Sequence, residues 1–389
     1  MRRFALLGRK LSHSYSKIIH ENFGGEYSYD LVEVEPEKLR DVFFSGYDGF
    51  NVTIPYKQDV IPFCDEISEE AREVGAVNTV VFKDGRAHGY NTDVYGLTKT
   101  VEHTGVSVAG IKALVLGSGG SAKTATYVLA KMGAREAVVI SRGGPDNYDN
   151  ISKHADAEVI INTTPVGMYP NFDARPVDLR AFPRLKLVVD IIYNPLRTRL
   201  LQQAEELKIP HCDGLLMLVL QAARASELFT GRLPEAGNVT EEIRKSMQNT
   251  VLIGMPGCGK TSYAKRLAKN YVDTDDEITA EYGLTPRQII ETEGEPAFRR
   301  KEREVVKRIA LLKGRVIATG GGVILNLDNV ADLKANGRLV YLRRGVEKLA
   351  TRDRPLSKNL KEMYEIRGPL YEKYADEIKD KYFAEEIAK

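Results

Sequence analysis

Cysteine is scarce in this chain. Cys64, Cys212 and Cys258 stand far apart, without the close spacing of a metal knuckle. Such sparing use fits a reducing cytoplasm, the expected location. Histidine is missing from the last third: all six lie before residue 212, which excludes a histidine-based mechanism there. No apolar run could span a bilayer; the longest, around Leu215 to Leu220, is far too short. The N-terminus carries Arg2 and Arg3 without the apolar core of a signal peptide, and reads as a first strand. Excess charge of either sign is also absent. With 56 basic and 54 acidic residues the net charge is +2, so neither nucleic acid nor a membrane is an expected partner. There is no internal repeat, no low-complexity segment and no Gly/Ser-rich linker.

What remains is an ordinary globular composition, 43% hydrophobic and 28% charged, in 389 residues, enough for two or three domains. Strand-like and helix-like segments alternate, which argues an α/β fold with largely parallel sheets. Strands are expected at Arg3–Leu7, Tyr27–Val32, Gly49–Val52, Ala113–Leu116, Ala137–Ile140, Val159–Ile161 and Leu187–Asp190. Helices are expected at Ala122–Met132 and Thr198–Leu207. Val77–Phe82, Asp84-Gly85 and Ala87–Tyr90 read as a hairpin, and Leu215–Phe229 as a buried helix. Thr240, Glu241 and Glu242 read as the capped start of a short helix that runs almost into a strand at Thr250.

Two glycine loops follow apolar runs. Gly117-Ser118-Gly119-Gly120-Ser121-Ala122 follows Ile111–Leu116 and reads as a dinucleotide cradle, whose amides approach a pyrophosphate at a helix N-terminus. Ser141-Arg142 ends the next strand, where NAD enzymes usually carry a carboxylate; an arginine there suits the 2′-phosphate of NADP. The second loop, Gly254-Met255-Pro256-Gly257-Cys258-Gly259-Lys260-Thr261, is a complete Walker A sequence after Val251–Ile253. Its amides, with Gly257 and Gly259, would cradle ATP phosphates; Lys260 would reach the β/γ oxygens and Thr261 would ligate Mg²⁺.

Further motifs narrow the first chemistry. Ser12-His13-Ser14-Tyr15-Ser16 with His20, Asn51-Val52-Thr53-Ile54-Pro55-Tyr56-Lys57, Gly75-Ala76-Val77-Asn78-Thr79 and Asn91-Thr92-Asp93 resemble shikimate dehydrogenase, in that family's order. So do Asn162-Thr163-Thr164-Pro165-Val166-Gly167-Met168, Asp190 to Pro195, and Gly214 through Gln221-Ala222-Ala223. The resemblance covers roughly residues 1 to 232 and implies 3-dehydroshikimate as substrate. It places Ser14 and Ser16 on the ring carboxylate, Thr53, Asn78 and Gln221 on ring hydroxyls, Tyr193 near the substrate, and Lys57 with Asp93 as the catalytic pair. Gly117, Gly119, Gly120, Ser121, Ser141, Arg142 and Met168 fall to NADP. Physically, ketone reduction needs a proton as well as a hydride, and a lysine beside a carboxylate can be tuned to give it. Taken alone, Lys57 would be a surface lysine after a turn and Asp93 a helix cap. The family pattern is broken at Lys17, where proline is usual, at Val94, where glycine is common, and at Gly143, where threonine often follows the arginine.

The last part resembles shikimate kinase over about residues 249 to 375. The segments are Asp273-Thr274-Asp275, Gly294 to Glu302, Gly320-Gly321-Gly322, Arg354-Pro355-Leu356 and Arg367-Gly368-Pro369-Leu370-Tyr371. The resemblance implies Asp273 near the metal's water shell, Asp275 as base on the substrate hydroxyl, and Gly321 and Gly322 lining the site. Arg299 and Arg367 would hold the shikimate carboxylate, a suitable task for paired guanidinium groups. Ser262 joins the phosphate loop, Arg354 would reach over the phosphates, and Arg352 would lie against the adenine. The Lys260–Asp273 interval is tight, the lid between Arg352 and Arg354 is short, and Ser357 replaces a common leucine.

The expectation is therefore a fusion in which the first half makes what the second consumes. Residues 1–95 and 214–246 would form a substrate domain, 96–213 a Rossmann-type NADP domain, and 249–389 a P-loop kinase with a parallel sheet. Cofactors would be NADPH, ATP and Mg²⁺; the sequence leaves oligomeric state open. The rivals are a broader quinate/shikimate dehydrogenase and a degenerate kinase half that only regulates. The paired serines argue against the first rival; intact Lys260, Thr261, Asp275, Arg299 and Arg367 argue against the second. No motif crosses Gln248-Asn249, so the halves are expected to work when severed there.

Overall fold

The structure is a computed structural model that describes residues 1–12, 14–349 and 360–380. Its contacts divide the chain into two compact units. The first gathers Met1–Met168, Ala174–Tyr193 and Leu200–Ile243; the second gathers Tyr169–Asp173, Asn194–Arg199 and Arg244–Lys389.

The first unit holds two sheets. Strands β1 (Arg2–Gly8), β2 (Tyr27–Glu33), β3 (Gly49–Val52), β4 (Glu66–Ile67), β5 (Thr79–Lys83) and β6 (Arg86–Tyr90) form a mixed sheet in the order β2-β1-β3-β5-β6-β4. The β5–β6 hairpin is antiparallel, as Asp84-Gly85 requires, and both turn residues take positive φ. Pairing starts at Thr79 rather than Val77, because the amide of Val77 is donated to the carbonyl of Lys57.

The second sheet contains β7 (Lys112–Leu116), β8 (Glu136–Ile140), β9 (Val159–Asn162), β10 (Leu187–Asp190) and β11 (His211–Cys212). All are parallel, in the order β11-β10-β9-β7-β8. Its strands are continuous apolar runs because both faces are covered. Ala113 and Val115 of β7 enter one core and Leu114 and Leu116 the other. The connections diverge between β7 and β9, and at such a switch point doubly wound sheets open a crevice beyond their strand ends.

The helix Leu215–Thr230 buries Leu215, Val219, Ala222, Ala223, Ser226 and Phe229 at helical spacing and stops at Gly231, φ +82°. It packs against the helix Thr92–His103. The following helix differs from expectation. It spans Gly237–Met247, so Thr240 lies inside it and donates its hydroxyl to the carbonyl of Ala236. The Glu235 carboxylate takes the first amides instead, those of Gly237 and Asn238, which removes the need for a hydroxyl cap at 240.

The second unit is built on a five-stranded parallel sheet ordered β13-β14-β12-β15-β16. Its strands are β12 (Asn249–Ile253), β13 (Val272–Asp273), β14 (Val316–Ala318), β15 (Gly337–Leu342) and β16 (Glu377–Lys379). Two segments that come early in the chain complete it. Phe172 is buried against Ala310 and Ala335. Arg197 forks onto Asp376, and Arg199 meets Asp332, which Arg303 pairs from the other side. Asp332 is fully buried. No helix among the described residues is long and apolar enough to cross a membrane.

Candidate active sites

In the first unit the turn after β3 places Lys57. Tyr56 is buried and its hydroxyl donates to the carbonyl of Val34 at 2.5 Å, so the turn is fixed just before the lysine. Asp93 is the second residue of the helix Thr92–His103, whose first amide, that of Thr92, is received by Asn78 Oδ1 at 2.7 Å. These two anchors bring Lys57 Nζ to 2.6 Å from Asp93 Oδ2, both side chains only partly exposed.

The pair lines a cavity of about 850 Å³. Ser14, Ser16, Thr53, Asn78, Met168, Tyr193 and Gln221 line it too, so with the pair all seven sequence motifs of the first resemblance converge there. Ser16 opens a short helix and its amide is received by Ser14 Oγ at 3.2 Å; His13, just before Ser14, lies outside the described residues. Tyr193 stands edge-on to Tyr15, and burial pushes its phenol upward. Gln221 Oε1 accepts from the Thr92 hydroxyl at 3.3 Å. Asn51 also lines the cavity and was given no separate role by sequence reasoning, although it begins the lysine motif.

The departures from the family pattern are tolerated locally. Lys17 is exposed beside Glu21, Val94 packs on the core beneath the second sheet, and Gly143 is exposed.

The dinucleotide turn does not line that cavity. It stands at the end of β7 and the start of the helix Gly120–Lys131. Gly117 takes φ +108°, and a side chain there would meet Thr163 Oγ1 at 2.8 Å, so only glycine fits. Around Gly119 and Gly120 there is open space, with Ser121 next on the helix. A cradle closed behind and open in front, at a helix start and beside the switch point, fits a pyrophosphate. Ser141 follows β8 and Arg142 is exposed next to it.

The second unit's cavity, about 350 Å³, is lined by Gly257, Gly259, Lys260, Thr261, Ser262, Asp273, Asp275, Arg299, Gly321, Gly322 and Arg367. Lys260 Nζ donates to the carbonyls of Gly254 and Met255 at 2.8 and 3.0 Å. Thr261 donates its hydroxyl to Asp273 Oδ2 at 2.6 Å, and Asp273 Oδ1 receives the amide of Asp275. Hydroxyl and carboxylate are hard oxygen donors, a set that fits Mg²⁺ completed by phosphates and water. Among the described residues no group of three His, Cys, Asp or Glu side chains forms a metal cage of its own.

Arg299 is oriented by two carboxylates, Glu295 at 2.9 Å and Glu302 at 2.8 Å. Glu302 is buried, and burial pushes its carboxyl upward against the pull of Arg299. It lines the cavity with Thr285, Pro286, Arg287 and Phe298, none of which sequence reasoning assigned. An acid three residues after the arginine, on the same helix face, was the available signal for Glu302, and its burial was not. Gly321 and Gly322 leave room for neighbours: an added Cβ would stand 2.7 Å from Pro256 and 2.3 Å from Arg299 respectively. The Tyr371 hydroxyl donates to the carbonyl of Gly321. Arg352 and Arg354 lie outside the described residues.

Fold and geometry thus define a nucleotide-dependent α/β enzyme with two separate active-site cavities. Residues 6–80 match the family model "Shikimate dehydrogenase substrate binding domain", and residues 256–389 match "Shikimate kinase". A shikimate dehydrogenase (NADP(+)) of Clostridium perfringens is 37% identical over 252 residues, covering 59% of this chain and 93% of the relative. Among solved structures, Thermus thermophilus shikimate 5-dehydrogenase in complex with NADP(H) and shikimate is 33% identical with TM-score 0.58. The match covers 63% of this chain and 99% of that one. A chorismate mutase/shikimate 5-dehydrogenase fusion protein from Clostridium acetobutylicum is 37% identical with TM-score 0.58, covering 62% and 96%. The chain belongs to the shikimate dehydrogenase family and carries a shikimate kinase domain at its C-terminal end. It is a bifunctional enzyme of the shikimate pathway, oxidoreductase and transferase in one polypeptide.

Proposed function

We propose that the first unit reduces 3-dehydroshikimate to shikimate and that the second phosphorylates shikimate to shikimate 3-phosphate. The cofactors are NADPH for the first reaction and ATP with Mg²⁺ for the second. The observation that supports the reading is that each cavity gathers a whole set of matching chemistry: Lys57 and Asp93 among the polar side chains of Ser14, Ser16, Thr53, Asn78 and Gln221 in one, Lys260, Thr261, Asp275, Arg299 and Arg367 in the other.

NADPH, when bound, would supply the hydride for the carbonyl carbon. Ser14 and Ser16 hold the carboxylate while Thr53, Asn78 and Gln221 hold the hydroxyls. Lys57 donates the proton that the carbonyl oxygen takes up, and Asp93 keeps the lysine oriented and charged for the next cycle. In the second cavity bound MgATP supplies the phosphoryl group. Arg299 and Arg367 fix the shikimate carboxylate, and Asp275 receives the proton of the attacking hydroxyl. Lys260 and Thr261 would hold the phosphates and the metal, with Asp273 orienting Thr261. The substrates are small molecules, and the reactions belong in the cytoplasm.

The full chain, given 3-dehydroshikimate, NADPH and MgATP, should consume NADPH and release ADP in equal amounts. NADPH consumption without ADP release would remove the kinase assignment; no NADPH consumption would remove the dehydrogenase assignment. Turnover of quinate at a rate comparable to shikimate would favour the broader dehydrogenase. Arg142, exposed just after β8, is our candidate reader of the NADP 2′-phosphate. Arg142→Ala should raise KM for NADPH and leave KM for NADH nearly unchanged; equal use of both cofactors by the parent would contradict this.

A further inference from the structure

The first unit contains a buried polar circuit that returns to the helix it starts from. Gln221, on the helix Leu215–Thr230, accepts from the Thr92 hydroxyl, and Thr92 donates its amide to Asn78 Oδ1. Thr79 also donates to Asn78 Oδ1, and Asn51 Nδ2 donates to Thr79 Oγ1 at 3.0 Å. Asn51 Oδ1 receives the Tyr29 hydroxyl at 2.7 Å. The His20 ring lies flat on Tyr29, centroids 3.9 Å apart at 10°, and His20 Nδ1 is 2.8 Å from the Tyr27 hydroxyl. Tyr27 donates to Ser226 Oγ at 3.1 Å, on the same helix as Gln221.

The direction of the protons follows. Tyr27 has one proton and gives it to Ser226, so His20 is the donor at Nδ1 and carries no proton at its buried Nε2. His20 sits one turn after Ser16 on the helix Ser16–Asn22, with Ile19 beside it on the buried face. It is the only member of the circuit on that helix. The two serines at the helix start are therefore tied through His20 to the strands and helix that carry Asn78 and Gln221.

We propose that His20 is a positioning residue of the dehydrogenase: through Tyr27 and Tyr29 it sets the separation between the carboxylate-binding serines and the hydroxyl-binding residues. The idea rests on the substrate assignment above. It predicts a loss in substrate binding rather than in chemistry, since Lys57 and Asp93 stand outside the circuit.

The test uses the full chain. His20→Phe keeps a stacked ring and removes the Nδ1 donor; Tyr27→Phe keeps the packing and removes the bridge to Ser226. Each should raise KM for 3-dehydroshikimate about 3- to 10-fold, the loss of one net hydrogen bond. Turnover number, KM for NADPH and kinase activity should stay near the parent's. His20→Gln, which restores a donor, should recover part of the loss. A parent that fails to reduce 3-dehydroshikimate overturns the underlying assignment. An active parent with unmoved KM in both phenylalanine variants, or with turnover lost and KM unmoved, overturns the positioning role alone.

Discussion

A methyl group on Gly322 would stand 2.3 Å from an Arg299 guanidinium that Glu295 and Glu302 already hold. The guanidinium could escape only by giving up one of those pairs. Gly322→Ala should therefore raise the kinase KM for shikimate about tenfold, with KM for ATP nearly unmoved; steady-state kinetics with each substrate varied decides it. In the other cavity the 2.6 Å Lys57–Asp93 contact is the corresponding point of fragility. Lys57→Ala and Asp93→Asn should each lower dehydrogenase turnover by roughly 10² to 10⁴, the range of a positioned acid or base. Kinase turnover in the same sample provides the internal reference, and a fully active Lys57→Ala would remove the lysine from the mechanism.

At the scale of single elements, burial gives the helix Ser16–Asn22 a pH dependence. His20 is held down to about 3 by burial, with the neighbouring Asn51 side chain pulling weakly the other way. The unfolded chain takes up this proton near 6.5 and the folded one does not. Stability from this group is complete above pH 6.5 and is lost as pH falls toward 3, by about 1.4 kcal/mol per pH unit. Denaturant titrations of the first unit between pH 7 and 4.5 should show that slope, and His20→Phe should flatten it. Elements of this kind differ in how far the sequence exposes them. The strands β1, β3 and β10 were legible to within a residue, because apolar runs bounded by turn residues leave little choice. The glycine loops were legible because phosphate binding demands their spacing. The helix at Gly237 was not, because its cap is a long-armed glutamate rather than a short hydroxyl. Glu302 was hidden for another reason. Its importance lies in being buried beside Arg299, and burial is a property of the fold rather than of a lone acidic letter.

For the whole molecule, the boundary at Gln248-Asn249 is clean in motifs and not in contacts. The second unit includes Phe172, Arg197 and Arg199, which a cut there would remove. Asp332, fully buried, would keep only Arg303, and Asp376 would lose its fork. Removing one partner of a buried ion pair costs roughly 3–5 kcal/mol; the second arginine at Asp332 softens this. Arg199→Ala in the full chain should lower the unfolding midpoint of the second unit, and residues 249–389 expressed alone should be less stable still. A fragment as stable as the unit in the intact chain would show these pairs to be energetically idle.

Chains are made from the N-terminus, and this gives the early segments of the second unit an unusual history. Phe172, Arg197 and Arg199 leave the ribosome on the order of ten seconds before Asp332 and Asp376 exist. During that interval Phe172 has only Tyr169 beside it and the two arginines lack Asp332 and Asp376. Synthesis interrupted before Ala310 leaves Phe172 without Ala310 and Ala335 and both arginines without their acids.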